Sequence, residues 1–147
     1  MTLSGGQLSG GNTVTQRAEH DFYATDPVAV VGLLDSLAKD GVCYSHKKCL
    51  EPCVGTGNII TAFDTINVCP EWTYLDIVDR GYPGTLVQDY LTWNTDEKFD
   101  FIITNPPYKF ATEFVEKSME LLDNNGMCCM FLKLQFLEGA KRKELFR

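Results

Sequence analysis

No apolar run in this 147-residue chain approaches the ~20 residues needed to cross a bilayer, so no membrane-spanning helix is expected. The opening residues, MTLSGGQLSGGNT, lack both the basic start and the apolar stretch of a secretory signal, which leaves a cytoplasmic address. Cysteine occurs six times, at 43, 49, 53, 69, 128 and 129, but never as Cys-x-x-Cys. Cys49 and Cys53 stand four apart, and the two histidines do not complete a ligand set around them. No metal site is therefore expected, and the thiols should be free and mostly buried. Basic residues are also in short supply. Thirteen Lys and Arg against twenty Asp and Glu leave a net charge of −7, which weighs against nonspecific binding to a phosphate backbone. The run Lys141, Arg142, Lys143 with Arg147, and the pair Lys47 and Lys48, partly offset this balance.

What is present fits one globular domain. The length suits a single core, and 44% hydrophobic with 22% charged residues is ordinary for a soluble fold. Residues 1–20, which contain the glycine- and serine-rich SGGQLSGGN, read as a flexible tail, leaving 21–147 as the folded unit. Asp26 before Pro27 reads as a helix cap followed by proline at the first helical position. Val28, Val31, Leu34 and Ala38 then continue at helical spacing until Gly41, predicting a helix over 27–39.

Short apolar runs follow at 48–51, 72–76, 85–88, 99–104 and 127–132, each resembling a strand buried on both faces. Between the last two, Phe114, Val115, Met119 and Leu122 predict the apolar face of a helix over 111–122, ended by Asp-Asn-Asn-Gly. Strands alternating with helices predict an α/β fold with a parallel sheet.

Two stretches carry chemistry. In Glu51-Pro52-Cys53-Val54-Gly55-Thr56-Gly57 a strand ends in an acid and then a glycine-bearing turn. Ligands bind at that position in open α/β sheets, because glycine lets a ligand approach the main chain closely. A dinucleotide site would want a third glycine where Ile60 stands, so a nicotinamide cofactor is disfavoured. About 25 residues after Glu51, Asp76 ends the next strand. It sits where a carboxylate accepts from two ribose hydroxyls, with Asp79 as the fallback. Asp89 closes the third strand, placed to accept from an exocyclic adenine amine.

The second stretch runs from a buried strand straight into Asn105-Pro106-Pro107-Tyr108. Neither proline has an N–H, so their carbonyls can point into a site without a competing donor, and each stiffens the residue before it.

DFYATDP, LEPCVGTG, LDIVDRG, QDYL and IITNPPY, in that order, resemble the sequential motifs of S-adenosylmethionine-dependent DNA adenine-N6 methyltransferases, phage-type members in particular. The resemblance spans roughly residues 21 to 140. It implies a Rossmann-like class I methyltransferase sheet of parallel strands ordered 3-2-1-4-5. It also implies that Phe22, Tyr23 and Thr25 line the methionine end of S-adenosylmethionine, that Glu51, Pro52, Gly55 and Gly57 form its loop, and that Asp76 and Asp89 hold its ribose and adenine.

Asn105 Oδ1 and the Pro106 carbonyl would accept the two hydrogens of the target amine, at the edge of the cofactor site, with Pro107 stiffening the turn and Tyr108 stacking on the base. An adenine amine is a poor nucleophile because its lone pair is delocalised into the ring. Two fixed acceptors favour a tetrahedral nitrogen and direct that lone pair at the methyl group. Double-stranded DNA would be the partner, its adenine flipped out to reach the site.

Asn-Pro-Pro-Tyr also occurs in glutamine-N5 and some RNA methyltransferases. An RNA or protein-glutamine substrate therefore stays open, as does an inactive remnant that still binds cofactor. The chain also departs from the family pattern. No recognition segment fits between Asp89 and Asn105, and the usual C-terminal strand hairpin is lacking, with only 138–147, which reads as helical, after Leu132. An open sheet edge of this kind predicts a homo-oligomer or a partner that completes it.

Overall fold

The computed structural model describes residues 23–139; Phe22, the 1–20 tail and the basic residues from Lys141 onward lie outside the described residues. Helix α1, Pro27–Lys39, starts where proline needs no donor, with the Asp26 carboxylate accepting from Val28 N at 2.9 Å. It ends in a left-handed Gly41 (φ +87°). Gly41 N–H donates to the Ala38 carbonyl and Val42 N–H to the Leu37 carbonyl, satisfying the last-turn acceptors.

Strand β1, Lys48–Glu51, leads to α2, Asn58–Thr65. The chain then runs through β2, Glu71–Asp76, β3, Leu86–Val87, and β4, Phe99–Thr104. A short 3-10 turn, Tyr108–Phe110, opens α3, Ala111–Leu121, which passes into β5, Leu122–Met130, and a second 3-10 turn, Leu134–Glu138.

The five strands form one sheet in the order β3-β2-β1-β4-β5, every pairing parallel, as the motif order implied. Parallel strands end at the same edge, so Glu51, Asp76 and Thr104 close β1, β2 and β4 together, with Asp89 and Asn105 just beyond. Core side chains fill both sides of the sheet. Val30, Leu34, Ile59 and Phe63 of α1 and α2 pack with Cys49, Phe101 and Ile103, while Phe114 and Leu121 of α3 pack with Leu50, Leu75 and Ile102 on the other side.

Only β1 and β4 are buried on both faces. The third strand is two residues long rather than 85–88, with Leu86 and Val87 both exposed, because it is an outer strand that the helices do not cover. Strand β5 is the other outer strand and is only half-buried. Its first residue, Leu122, faces Phe99, but the next paired residue, Met127, faces Phe101. The intervening Asp-Asn-Asn-Gly is thus bulged out, and the main pairing starts where the apolar run does.

The α3 face also differs from expectation. Met119 is 61% exposed, and the buried positions are Ala111, Phe114, Ser118 and Leu121. These four keep helical spacing, and Ser118 is tolerated inside because its hydroxyl lies 2.9 Å from the buried Tyr90 hydroxyl. Of the helix expected over 138–147, Glu138 is the last residue of a 3-10 turn and Gly139 is extended; residues 140–147 lie outside the described residues. Among the described residues no helix is long and apolar enough to cross a membrane.

Candidate active site

A cavity of about 490 Å³ opens at the carboxyl edge of the sheet, within the roughly 300–1,000 Å³ range of small-molecule sites. Tyr23, Thr25, Pro52, Asp76, Asp89, Asn105 and Pro107, all expected from the sequence, line it. Glu51, Gly55, Gly57, Pro106 and Tyr108 are not among its lining residues.

The glycine turn is shaped by what presses on it. Gly55 and Gly57 both hold positive φ (+57° and +85°), and a Cβ on Gly57 would fall 2.1 Å from the Tyr82 ring. Asp76 pins this turn from β2, its Oδ2 accepting from Gly55 N at 2.9 Å and its Oδ1 from Val78 N at 3.1 Å. Arg80 Nε stands 3.6 Å from the same Oδ1. Each carboxylate oxygen has a second lone pair, so a hydroxyl could still approach either one. The fallback Asp79 caps its own turn at Gly81 N and does not line the cavity. Asp89 holds Leu91 N at 3.0 Å through Oδ1 and also faces the cavity.

Glu51 is fully buried beneath this turn. One of its oxygens accepts from Cys53 N at 3.1 Å. The other, Oε2, and the buried Thr104 Oγ1 have no hydrogen-bond partner among the described residues. Burial pushes the Glu51 carboxyl well above the usual carboxylate range, and the Asp76 charge adds to this. The nearby Thr104 hydroxyl, which is outside hydrogen-bond geometry, and the Cys53 amide oppose it.

A carboxyl raised in the folded state contributes stability that is fully present below its unfolded pKa and is lost as pH rises through its folded pKa. Glu51→Gln keeps the shape and the Cys53 contact. It should remove that loss, so urea denaturation at several pH values should show the parent falling behind the variant as pH rises. Parallel decline of the two would mean that Glu51 does not carry this cost.

At the target side, the carbonyl of Tyr23 accepts from Asn105 Nδ2 at 3.0 Å. That bond uses one of the two Nδ2 hydrogens and turns Oδ1 away from the Tyr23 carbonyl, and no side-chain hydrogen bond among the described residues uses Oδ1. The Tyr23 and Tyr108 rings are nearly parallel, 18° apart with centroids at 5.9 Å, and Lys133 Nζ sits 4.8 Å from the Tyr108 ring centre.

Several lining residues were not singled out from sequence as site residues. Ile77, Tyr90, Leu91, Phe110 and Phe114 supply apolar wall, and Asn58 and Arg80 supply polar groups. Asn58 directly follows Gly57 at the start of α2, and that position is the one signal that could have drawn notice to it. No group of three or more His, Cys, Asp or Glu among the described residues could hold a metal ion.

The fold is that of Rossmann-like methyltransferases. Solved structures with the same architecture include a Pyrococcus horikoshii protein provisionally described as an RNA methyltransferase. Its TM-score is 0.57 at 16% identity, over 82% of this chain and 64% of that one. The glycopeptide N-methyltransferase MtfA complexed with S-adenosylmethionine also matches, with a TM-score of 0.54 at 16% identity, over 76% of this chain and 56% of that one. In sequence, the chain is 70% identical to a type II methyltransferase of Paramecium bursaria Chlorella virus XZ-6E, over 40% of this chain and 18% of that protein. No protein-family model matches. The chain thus spans less than a fifth of this curated relative and less than two thirds of either structural neighbour.

Proposed function

We propose that the chain transfers a methyl group from S-adenosylmethionine to the N6 amine of adenine in double-stranded DNA. The observation that carries this is the Asn105 amide, which lines the cavity, is held by donation from Nδ2 to the Tyr23 carbonyl, and leaves Oδ1 without a hydrogen bond among the described residues. A fixed acceptor suits an amine whose lone pair must be drawn out of conjugation. The motif resemblance and the likeness to a type II methyltransferase support DNA over RNA or a protein glutamine.

The cavity residues fit the cofactor. Asp76 and Asp89 offer acceptors for ribose hydroxyls and an adenine amine, Ile77 and Leu91 offer apolar surface for a flat ring, and Tyr23 and Thr25 line the cavity with Tyr23 held by Asn105 and Thr25 by Asn58. When bound, the cofactor supplies an activated methyl on a sulfonium. The chain's own task is then to hold the amine in line with that methyl, and positioning dominates. Pro106 and Pro107 stiffen the turn that carries the acceptors, and the Pro106 carbonyl is proposed as the second of them. Tyr108 is proposed to stack on the extruded base.

A cytoplasmic setting belongs to the same proposal. So does completion of the sheet at the outer edge of β5, which pairs with no further strand among the described residues, by a second copy or another partner. Labelled cofactor offered with adenine-containing duplex, RNA or a glutamine peptide tests the reading. Label should enter the duplex alone. Entry into RNA or peptide instead, or binding of cofactor with no transfer to any of the three, would overturn it.

A further inference from the structure

The segment Tyr23–Thr25 joins the two halves of the site, and two asparagine amides fasten it from opposite sides. Asn105 Nδ2, on the loop after β4, donates to the Tyr23 carbonyl at 3.0 Å. Asn58 Nδ2, at the start of α2, donates to the Thr25 carbonyl at 2.9 Å. Asn58 is itself oriented, because its Oδ1 accepts from the Thr56 hydroxyl at 3.0 Å. A continuous relay thus runs from the glycine turn, through Thr56 and Asn58, across the strap, to Asn105.

An asparagine side chain can present either its oxygen or its nitrogen in a given direction, and the hydrogen bonds it makes decide which. If the Tyr23 carbonyl left its place, no other side-chain hydrogen bond among the described residues would fix which end of the Asn105 amide faces which way.

Resting on the reading of Asn105 as the acceptor for the target amine, we infer that Asn58 is a positioning residue for methyl transfer: by tying the strap to the glycine turn it fixes which end of the Asn105 amide faces the substrate. It touches the target through nothing but the strap. The same arrangement ties the state of the glycine turn, where the cofactor is proposed to lie, to the orientation of the acceptor.

Asn58→Asp separates this role from a structural one. The carboxylate keeps the shape and can still accept from Thr56, but it has no N–H for the Thr25 carbonyl and repels it. At the first turn of α2 a negative charge favours the helix, so the fold should not suffer. Two readouts are taken on the same protein. In the first, exchange of the Asn105 side-chain amide protons, followed by NMR, should be clearly faster in Asn58→Asp than in the parent. In the second, turnover on duplex should fall on the order of 10–10²-fold through kcat, with KM for the duplex little changed and the melting temperature not lowered.

Asn58→Ala, which releases the strap without repelling it, should change both readouts in the same direction and by less. Unchanged Asn105 exchange, or turnover within twofold of the parent, overturns the inference. If the parent methylates no substrate, the reading of the activity fails and the exchange measurement alone decides the strap: faster exchange upholds the link from Asn58 to Asn105, and unchanged exchange rejects it.

Discussion

Asn105→Ala should cut methyl transfer by on the order of 10²–10³, the size of effect seen when one preorganised donor is removed from an oxyanion hole. Cofactor affinity should move little in the same variant. The expectation rests on where each end of the amide goes, since Nδ2 is held by Tyr23 and Oδ1 is not used within the described fold. Removing the side chain therefore deletes the acceptor and one of the two strap anchors, while Asn58 still holds the strap at Thr25. Steady-state kinetics with a separate calorimetric measurement of cofactor binding distinguishes the two effects. Turnover equal to the parent's would leave Asn-Pro-Pro-Tyr as a strand-ending loop with no chemical part.

Asp76→Ala should act on the opposite end of the site and on binding rather than on the chemical step. A lost hydrogen bond to a charged acceptor costs about 1.5–3 kcal/mol, or roughly tenfold to 150-fold in Kd. Here the same carboxylate also pins Gly55 and Val78, so the variant should lose the shape of the glycine turn as well as the ribose contact. Asp79→Ala, which frees only an exposed turn at Gly81, should bind cofactor like the parent. Equal weakening by both variants, or none by Asp76→Ala, would remove Asp76 from the ribose role.

The parts legible in the sequence were those whose causes are local. Asp26-Pro27 and Gly41 bracket α1 because a cap, a missing donor and a left-handed residue each act within one turn. The runs 48–51 and 99–104 coincide with β1 and β4 because central parallel strands must be apolar on both faces. With those strands placed, parallel pairing alone carries Glu51, Asp76, Asp89 and Asn105 to one edge.

What sequence reading missed depends on contacts between distant residues. Ser118 is buried because Tyr90, on another element, answers its hydroxyl, and no periodicity of apolar residues reports that. The apolar runs of the outer strands leave β3 exposed and β5 only half-buried, since burial is set by which neighbours the sheet supplies. The hold of Asn58 and Asn105 on the strap spans elements far apart in the chain and has no spacing signature.

The central claim is that the acceptor at Asn105 receives an adenine amine, and the position of the transferred methyl tests it most directly. Duplex DNA incubated with the protein and labelled S-adenosylmethionine can be digested to nucleosides and analysed by mass spectrometry. N6-methyl-2′-deoxyadenosine should carry the label, and Asn105→Ala should reduce the rate of its appearance by on the order of 10²–10³. Label on cytosine, or label on adenine that persists undiminished in Asn105→Ala, would contradict the assignment.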